Sequence, residues 1–168
     1  MISKINVVNI FKDHISTLKD YHTGKYLKSD FILFFGVPLA VAILVFIFLD
    51  EISDTAVIVL ATSVSIFAAL LFNLLLLVYD SIRKEEKQSI KDKPRLLLLK
   101  QIFNNISFCI LISVLTIILL ILFSQNLYFC ILQKIISFLA YYLITLFILT
   151  LLMILKRVHI LISGEFNK

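Results

Sequence analysis

The side chains that could attack, move a proton or hold a metal are few: three histidines, His14, His22 and His159, and two cysteines, Cys109 and Cys130. The histidines lack the spacing to Cys, Asp or Glu from which metal sites are built, and each is expected to be a solvated or lipid-facing residue. No nucleophile motif, glycine-rich phosphate loop or acid–base carboxylate pair is legible, and three glycines in the chain are too few to cradle a nucleotide with backbone amides. These residue types predict no catalytic, cofactor-binding or metal-binding site. Cys109 and Cys130 fall near opposite ends of one apolar segment, about 20 Å of helix apart, so a disulfide between them is not expected.

What remains as a source of specificity is neutral polarity inside apolar helices. Ala61, Ser65, Ala69 and Asn73 recur every four residues and share one helix face. Small residues let helix backbones approach, and an amide in hydrocarbon seeks a partner, so this face is expected to meet another helix. Packing within one chain and an interface or pore lining between chains both satisfy that demand. Ser137, Tyr141 and Thr145 make a weaker stripe of the same kind.

These stripes need apolar helices to carry them. Hydrophobic residues make up 61% of the 168, against roughly 45–50% in ordinary soluble domains. Four long stretches hold almost no charge: about 31–49, 55–79, 106–123 and 135–155. Each is close to the roughly 20 residues that a 30 Å hydrocarbon layer requires. The expected fold is an all-α polytopic membrane protein with two antiparallel transmembrane hairpins, 31–79 and 106–155. A polar segment, 1–30, precedes them, a basic loop, 80–105, joins them, and a tail, 156–168, follows. Asp50 to Asp54 and Ser124 to Asn126 make the two short turns. Residues 127–134 are expected at the interface, or as an extension of the fourth helix.

Within 1–30, Ile5, Val8, Phe11, Ile15 and Leu18 recur at helical steps and predict a short amphipathic helix on the membrane surface or against a partner, stopped near Gly24. Lysines interrupt this segment, so the first span is expected to do the targeting. Gly36 and Pro38 predict a bend in that span. The second is expected to continue as a helix beyond the membrane until Pro94 breaks it.

Orientation follows from charge. Of 16 Lys and Arg residues, segments 1–30, 80–105 and 156–168 carry 5, 7 and 3, while the two opposite segments, 50–54 and 124–134, carry only Lys134 beside three acids. That asymmetry predicts both termini in the cytoplasm of a bacterial inner membrane. The net charge of +5 flanks apolar spans, which points to an anionic leaflet as partner and not to nucleic acid. Arg83, Lys84, Lys87, Lys91, Lys93, Arg95 and Lys100 are the candidates for contact with lipid or a cytosolic protein.

The run Asp30-Phe31-Ile32-Leu33-Phe34-Phe35-Gly36-Val37-Pro38-Leu39 resembles small uncharacterised bacterial four-span membrane proteins, some encoded among anti-phage defence genes. So does Ser65-Ile66-Phe67-Ala68-Ala69-Leu70-Leu71-Phe72-Asn73-Leu74, continuing to Tyr79-Asp80. The likeness covers about the first half of the chain and implies a defence component without assigning it an activity. Because no ionisable residue lies in the four spans, a proton-coupled exporter built on a buried Glu is disfavoured. Lack of paired cysteines likewise disfavours a quinone-linked disulfide oxidase. The leading expectation is a non-enzymatic, homo-oligomeric membrane-perturbing effector controlled by a cytosolic protein. An anchor for a cytosolic enzyme comes second, and a small transporter of a neutral or lipid substrate third.

Overall fold

In a computed structural model of the chain, residues 7–18, 32–48, 52–87, 93–124 and 130–166 are described, with backbone only for 93, 130 and 164–166. All secondary structure among them is helical. Helix α1 covers Val7–Ser16, a π-helical turn Ile32–Gly36 leads into α2, Val37–Phe48, and three long helices follow: α3, Asp54–Lys87, α4, Lys93–Ser124, and α5, Cys130–Phe166. His22, Gly24, Asp50, Glu51, Lys91, Gln125, Asn126 and residues 127–129 lie outside the described residues.

Helices α3, α4 and α5 are long and apolar enough to cross a membrane. Their 34, 32 and 37 residues span about 50 Å each at 1.5 Å per residue, so each overshoots a 30 Å hydrocarbon layer by several turns. The apolar helix Ile32–Phe48 is shorter, about 25 Å by the same rise. It begins with the π turn, where the missing N–H of Pro38 removes the donor that a regular first turn would direct at residue 34. The bend expected at Gly36 and Pro38 is thus a change of helix type.

Pro94 begins a helix instead of ending one. It occupies the first turn of α4, where a missing N–H costs nothing because that donor has no partner inside the helix. Residues 93–105, expected as the end of the basic loop, and the third span are one rod. Likewise α5 runs without interruption from the residues expected at the outer interface to Phe166, so most of the expected tail is helix.

The long helices pack in sequence, α3 on α4 and α4 on α5, while α2 packs on α5. Consecutive α2 and α3, expected as a hairpin, make no close backbone approach among the described residues. Pro38 and Ala42 are instead buried on the side of α2 that meets α5. Between α3 and α4 the seam repeats every seven residues, with Val57, Val64, Leu71 and Val78 all buried, the spacing that keeps two supercoiled helices in register. Past Tyr79 the pair continues as a charged extension, where Arg95 Nε stands 3.1 Å from Glu85 Oε1 and Lys100 Nζ 2.8 Å from Glu86 Oε1.

Helix α4 is the centre of the structure. Its fully buried residues include Ile102, Asn105, Ile106, Phe108, Cys109, Ser113, Thr116 and Leu120. Among them Asn105, Cys109, Ser113 and Thr116 form a small polar stripe at steps of four, four and three. Ser113 and Thr116 return their hydroxyl hydrogens to the Ile110 and Ile112 carbonyls at 2.7 and 2.8 Å. This self-satisfaction lets hydroxyls sit in an apolar bundle without a partner helix.

Candidate functional site

The densest buried polar cluster among the described residues joins α1 to the first half of α4 and the C-terminal part of α5. His14, expected on a solvated or lipid-facing surface, is fully buried. It stacks on Phe108 with centroids 3.8 Å apart and planes 8° from parallel, and meets Phe34 edge-on at 6.0 Å. The correction has a simple cause: α1 lies on α4, so its inward face meets protein.

His14 Nδ1 is 3.0 Å from Asn105 Oδ1. An amide oxygen only accepts, so Nδ1 carries the hydrogen, and in the neutral ring the lone pair is then on Nε2. The Thr17 hydroxyl approaches the same Oδ1 at 2.8 Å and the His14 carbonyl at 2.7 Å, dividing one hydrogen between two acceptors. Arg157 Nη2 donates to the Thr17 carbonyl at 2.7 Å. A guanidinium from α5 therefore satisfies a carbonyl just past the end of α1, where helix acceptors lack internal partners and the dipole favours a cation.

Two atoms of the cluster, His14 Nε2 and Asn105 Nδ2, are buried with no hydrogen-bond partner among the described residues. Burial pulls the His14 pKa down from 6.5 to about 4 and nearby Arg157 pulls it the same way, while the bond to Asn105 opposes them. The ring stays neutral at neutral pH because charging it would place a cation in an apolar wall beside another cation. Such a cluster can hold or release a helix, with the imidazole and the amide enclosed and Arg157 at its edge.

Docking uses one edge of α1 only. Leu18, Thr17 and His14 are buried, whereas Val7, Val8 and Phe11 keep 41–55% of their surface exposed, although Phe11 also reaches the Phe108 ring at 5.9 Å. The expected apolar face is thus divided, with part on protein and part open; Ile5 lies outside the described residues.

The α3 stripe turns away from this centre. Ser65, Ala69 and Asn73 are exposed and Ala61 is partly so, because the seam against α4 runs through Val64 and Leu71. Ser65 spends its hydroxyl hydrogen on the Ala61 carbonyl at 2.7 Å, and the Asn73 side chain has no hydrogen bond among the described residues. On α5, Ser137 is buried with no partner for its hydroxyl among the described residues, while Tyr141 and Thr145 are half-buried and Thr145 bonds the Tyr141 carbonyl at 2.9 Å. The two stripes are not brought together: one faces outward, the other partly into the bundle.

No family model matches this chain, and neither a curated protein nor a solved structure matches it.

Of the basic candidates, Arg83, Lys84 and Lys87 are exposed on the charged end of α3, and Arg95 and Lys100 reach Glu85 and Glu86. Lys93 is described by backbone alone, and Lys91 lies outside the described residues. Among the described residues no group of three or more His, Cys, Asp or Glu could hold a metal. His159 is exposed, with Nε2 3.5 Å from Ser163 Oγ. Sequence reasoning missed the His14, Thr17, Asn105 and Arg157 cluster. The available signal was the four-residue ladder from Asn105 through Cys109 to Ser113, which marks the interior face of α4 and puts Asn105 at its end.

Proposed function

We propose that this chain is a non-enzymatic component of a bacterial inner membrane that assembles with copies of itself through the outward face of α3 and takes its input from the cytoplasm through α1. The observation that carries the reading is the exposure of Ser65, Ala69 and Asn73 on the least enclosed of the three long helices. An amide facing hydrocarbon has no water to bond, and a second copy supplies an identical amide with small neighbours that permit close approach. In this reading α2 makes a fourth crossing and both termini lie on the side rich in Lys and Arg.

Cytoplasmic control is supported by the α1 cluster, whose bonds join three elements at one end of the bundle. Release of α1 would uncover Phe108 and Asn105 and give the chain two packing states. The resemblance of residues 30–39 and 65–80 to chains encoded among phage-defence genes supports an effector that perturbs the membrane on release. A second reading, an anchor for a cytosolic protein, is favoured by the exposed Arg83, Lys84 and Lys87 on a paired helical extension.

The test is expression in bacteria with membrane potential followed by dye, comparing the native chain with Asn73→Leu and with a variant lacking residues 1–18. Depolarisation enhanced by the deletion and abolished by Asn73→Leu is expected. Unchanged potential in every case, with a soluble protein co-purifying through Arg83, Lys84 and Lys87, leaves the anchor. Reporter fusions at Ser53 and Gln125 check the orientation, with both on the periplasmic side expected.

A further inference from the structure

A cleft of about 430 Å³ opens between the end of α1, the π turn, α4 and the C-terminal part of α5. Its volume is within the roughly 300–1,000 Å³ of ligand sites, and its lining is divided along its length. Lys156, Arg157 and Gln101 line it, and so do Phe34, Leu152 and Met153. Along α5 the lining runs from Leu149 to Ile160, about 16 Å of helix, beginning in apolar sequence and passing the two cations. Leu152 borders it while 56% exposed, so the apolar end opens sideways.

We propose that this cleft binds an anionic phospholipid, its phosphate held by Lys156 and Arg157 and an acyl chain leaving along Leu152 and Met153. Two cations above an apolar, laterally open wall complement the two ends of such a molecule, and basic recesses between membrane helices are suited to anionic headgroups. A free anion would use only the cations and leave the apolar wall uncovered. The inference rests on the membrane reading above, and on its orientation only for the choice of leaflet; it does not depend on self-assembly. Because Arg157 also donates to the Thr17 carbonyl, a lipid phosphate on its guanidinium would act on α1 docking directly.

The full chain purified in detergent is to be supplied with phosphatidylglycerol, phosphatidylcholine or inorganic phosphate and examined by native mass spectrometry. Phosphatidylglycerol retained at least about fivefold over phosphatidylcholine, and not displaced by excess phosphate, is expected. Lys156→Gln should lower that retention about fivefold, and Leu152→Trp should lower it by filling the cleft with charge unchanged. The double variant Lys84→Gln/Lys87→Gln and Asn73→Leu should both leave it intact. Equal retention of the two lipids, displacement by phosphate, or an equal loss in the Lys84/Lys87 variant would overturn the proposal. So would full retention in Leu152→Trp with native helix content.

Discussion

The imidazole of His14 lies flat on the ring of Phe108, 3.8 Å away, with Asn105 Oδ1 3.0 Å from its Nδ1 and Arg157 Nη2 bound to the carbonyl of Thr17, whose hydroxyl reaches the same Oδ1. This arrangement makes docking of α1 depend on pH. With α1 released, His14 regains an ordinary pKa near 6.5; docked, it is held at about 4. Above pH 6.5 both forms are neutral and protons do not influence docking. Between 6.5 and 4 the released form takes up a proton that the docked form excludes, so docking should weaken about tenfold per pH unit and level off below 4. Hydrogen exchange of the amides from Asp13 to Leu18, compared between the native chain and His14→Phe, reads this out. Parallel behaviour of the two across that range would remove the idea.

Asn105 should show a pronounced asymmetry between single and double replacement. Asn105→Leu alone strands the Nδ1–H of His14 in an apolar wall, at a cost of about 1–3 kcal/mol in docking, while the Thr17 hydroxyl keeps the His14 carbonyl as its acceptor. His14→Phe/Asn105→Leu removes donor and acceptor together and should recover most of that loss, because two apolar groups of similar shape replace a bonded pair. A double-mutant cycle on α1 protection gives the coupling. Additive losses would mean that the 3.0 Å contact carries no energy.

Much of this fold was legible because a bilayer imposes long uncharged segments, and α3, α4 and α5 coincide with the second, third and fourth of them. Helix ends were not, because charge marks where lipid stops and not where hydrogen bonding stops. Helix α4 begins thirteen residues before its uncharged stretch, and α5 continues past Lys156 and Arg157. Which face looks inward was equally hidden, since Ser65 and Asn73 on α3 and Ser113 and Asn105 on α4 present similar chemistry at similar spacing. Only the pairing of helices separates them, and that is a long-range property. The burial of His14 was not legible because its hydrogen-bond partner, Asn105, lies 91 residues away on α4.

Arg157 should contribute to α1 as a cap on its C-terminal end. Replacing it by Gln removes a cation from the helix dipole and a charge-assisted bond to the Thr17 carbonyl, so opening of α1 should become easier by about 1 kcal/mol. Arg157→Lys keeps the charge and should lose less. The exchange rates of the Thr17 and Leu18 amides, which bond the carbonyls of Asp13, His14 and Ile15, are the local measure. An effect spread evenly over α4 and α5 would show that Arg157 supports the bundle in general and not this end of α1.

The outward stripe of α3 allows an interface between copies to be told from general apolar adhesion. Self-association carried by a shared amide should depend on Asn73 by the roughly 0.6–2 kcal/mol of one interhelical bond, which is about a three- to thirty-fold weaker dimer for Asn73→Leu. Ala69→Phe attacks the same surface differently, by holding two backbones apart where Ala69 lets them approach. Phe72→Ala changes an exposed apolar residue beside the stripe and removes more lipid-accessible surface than either. Energy transfer between labelled chains in lipid nanodiscs should fall for the first two variants and stay for the third. If Phe72→Ala alone disrupts association, the contact is made by the bulky apolar side of α3, and the exposed amide must meet lipid headgroups or water instead of its own copy.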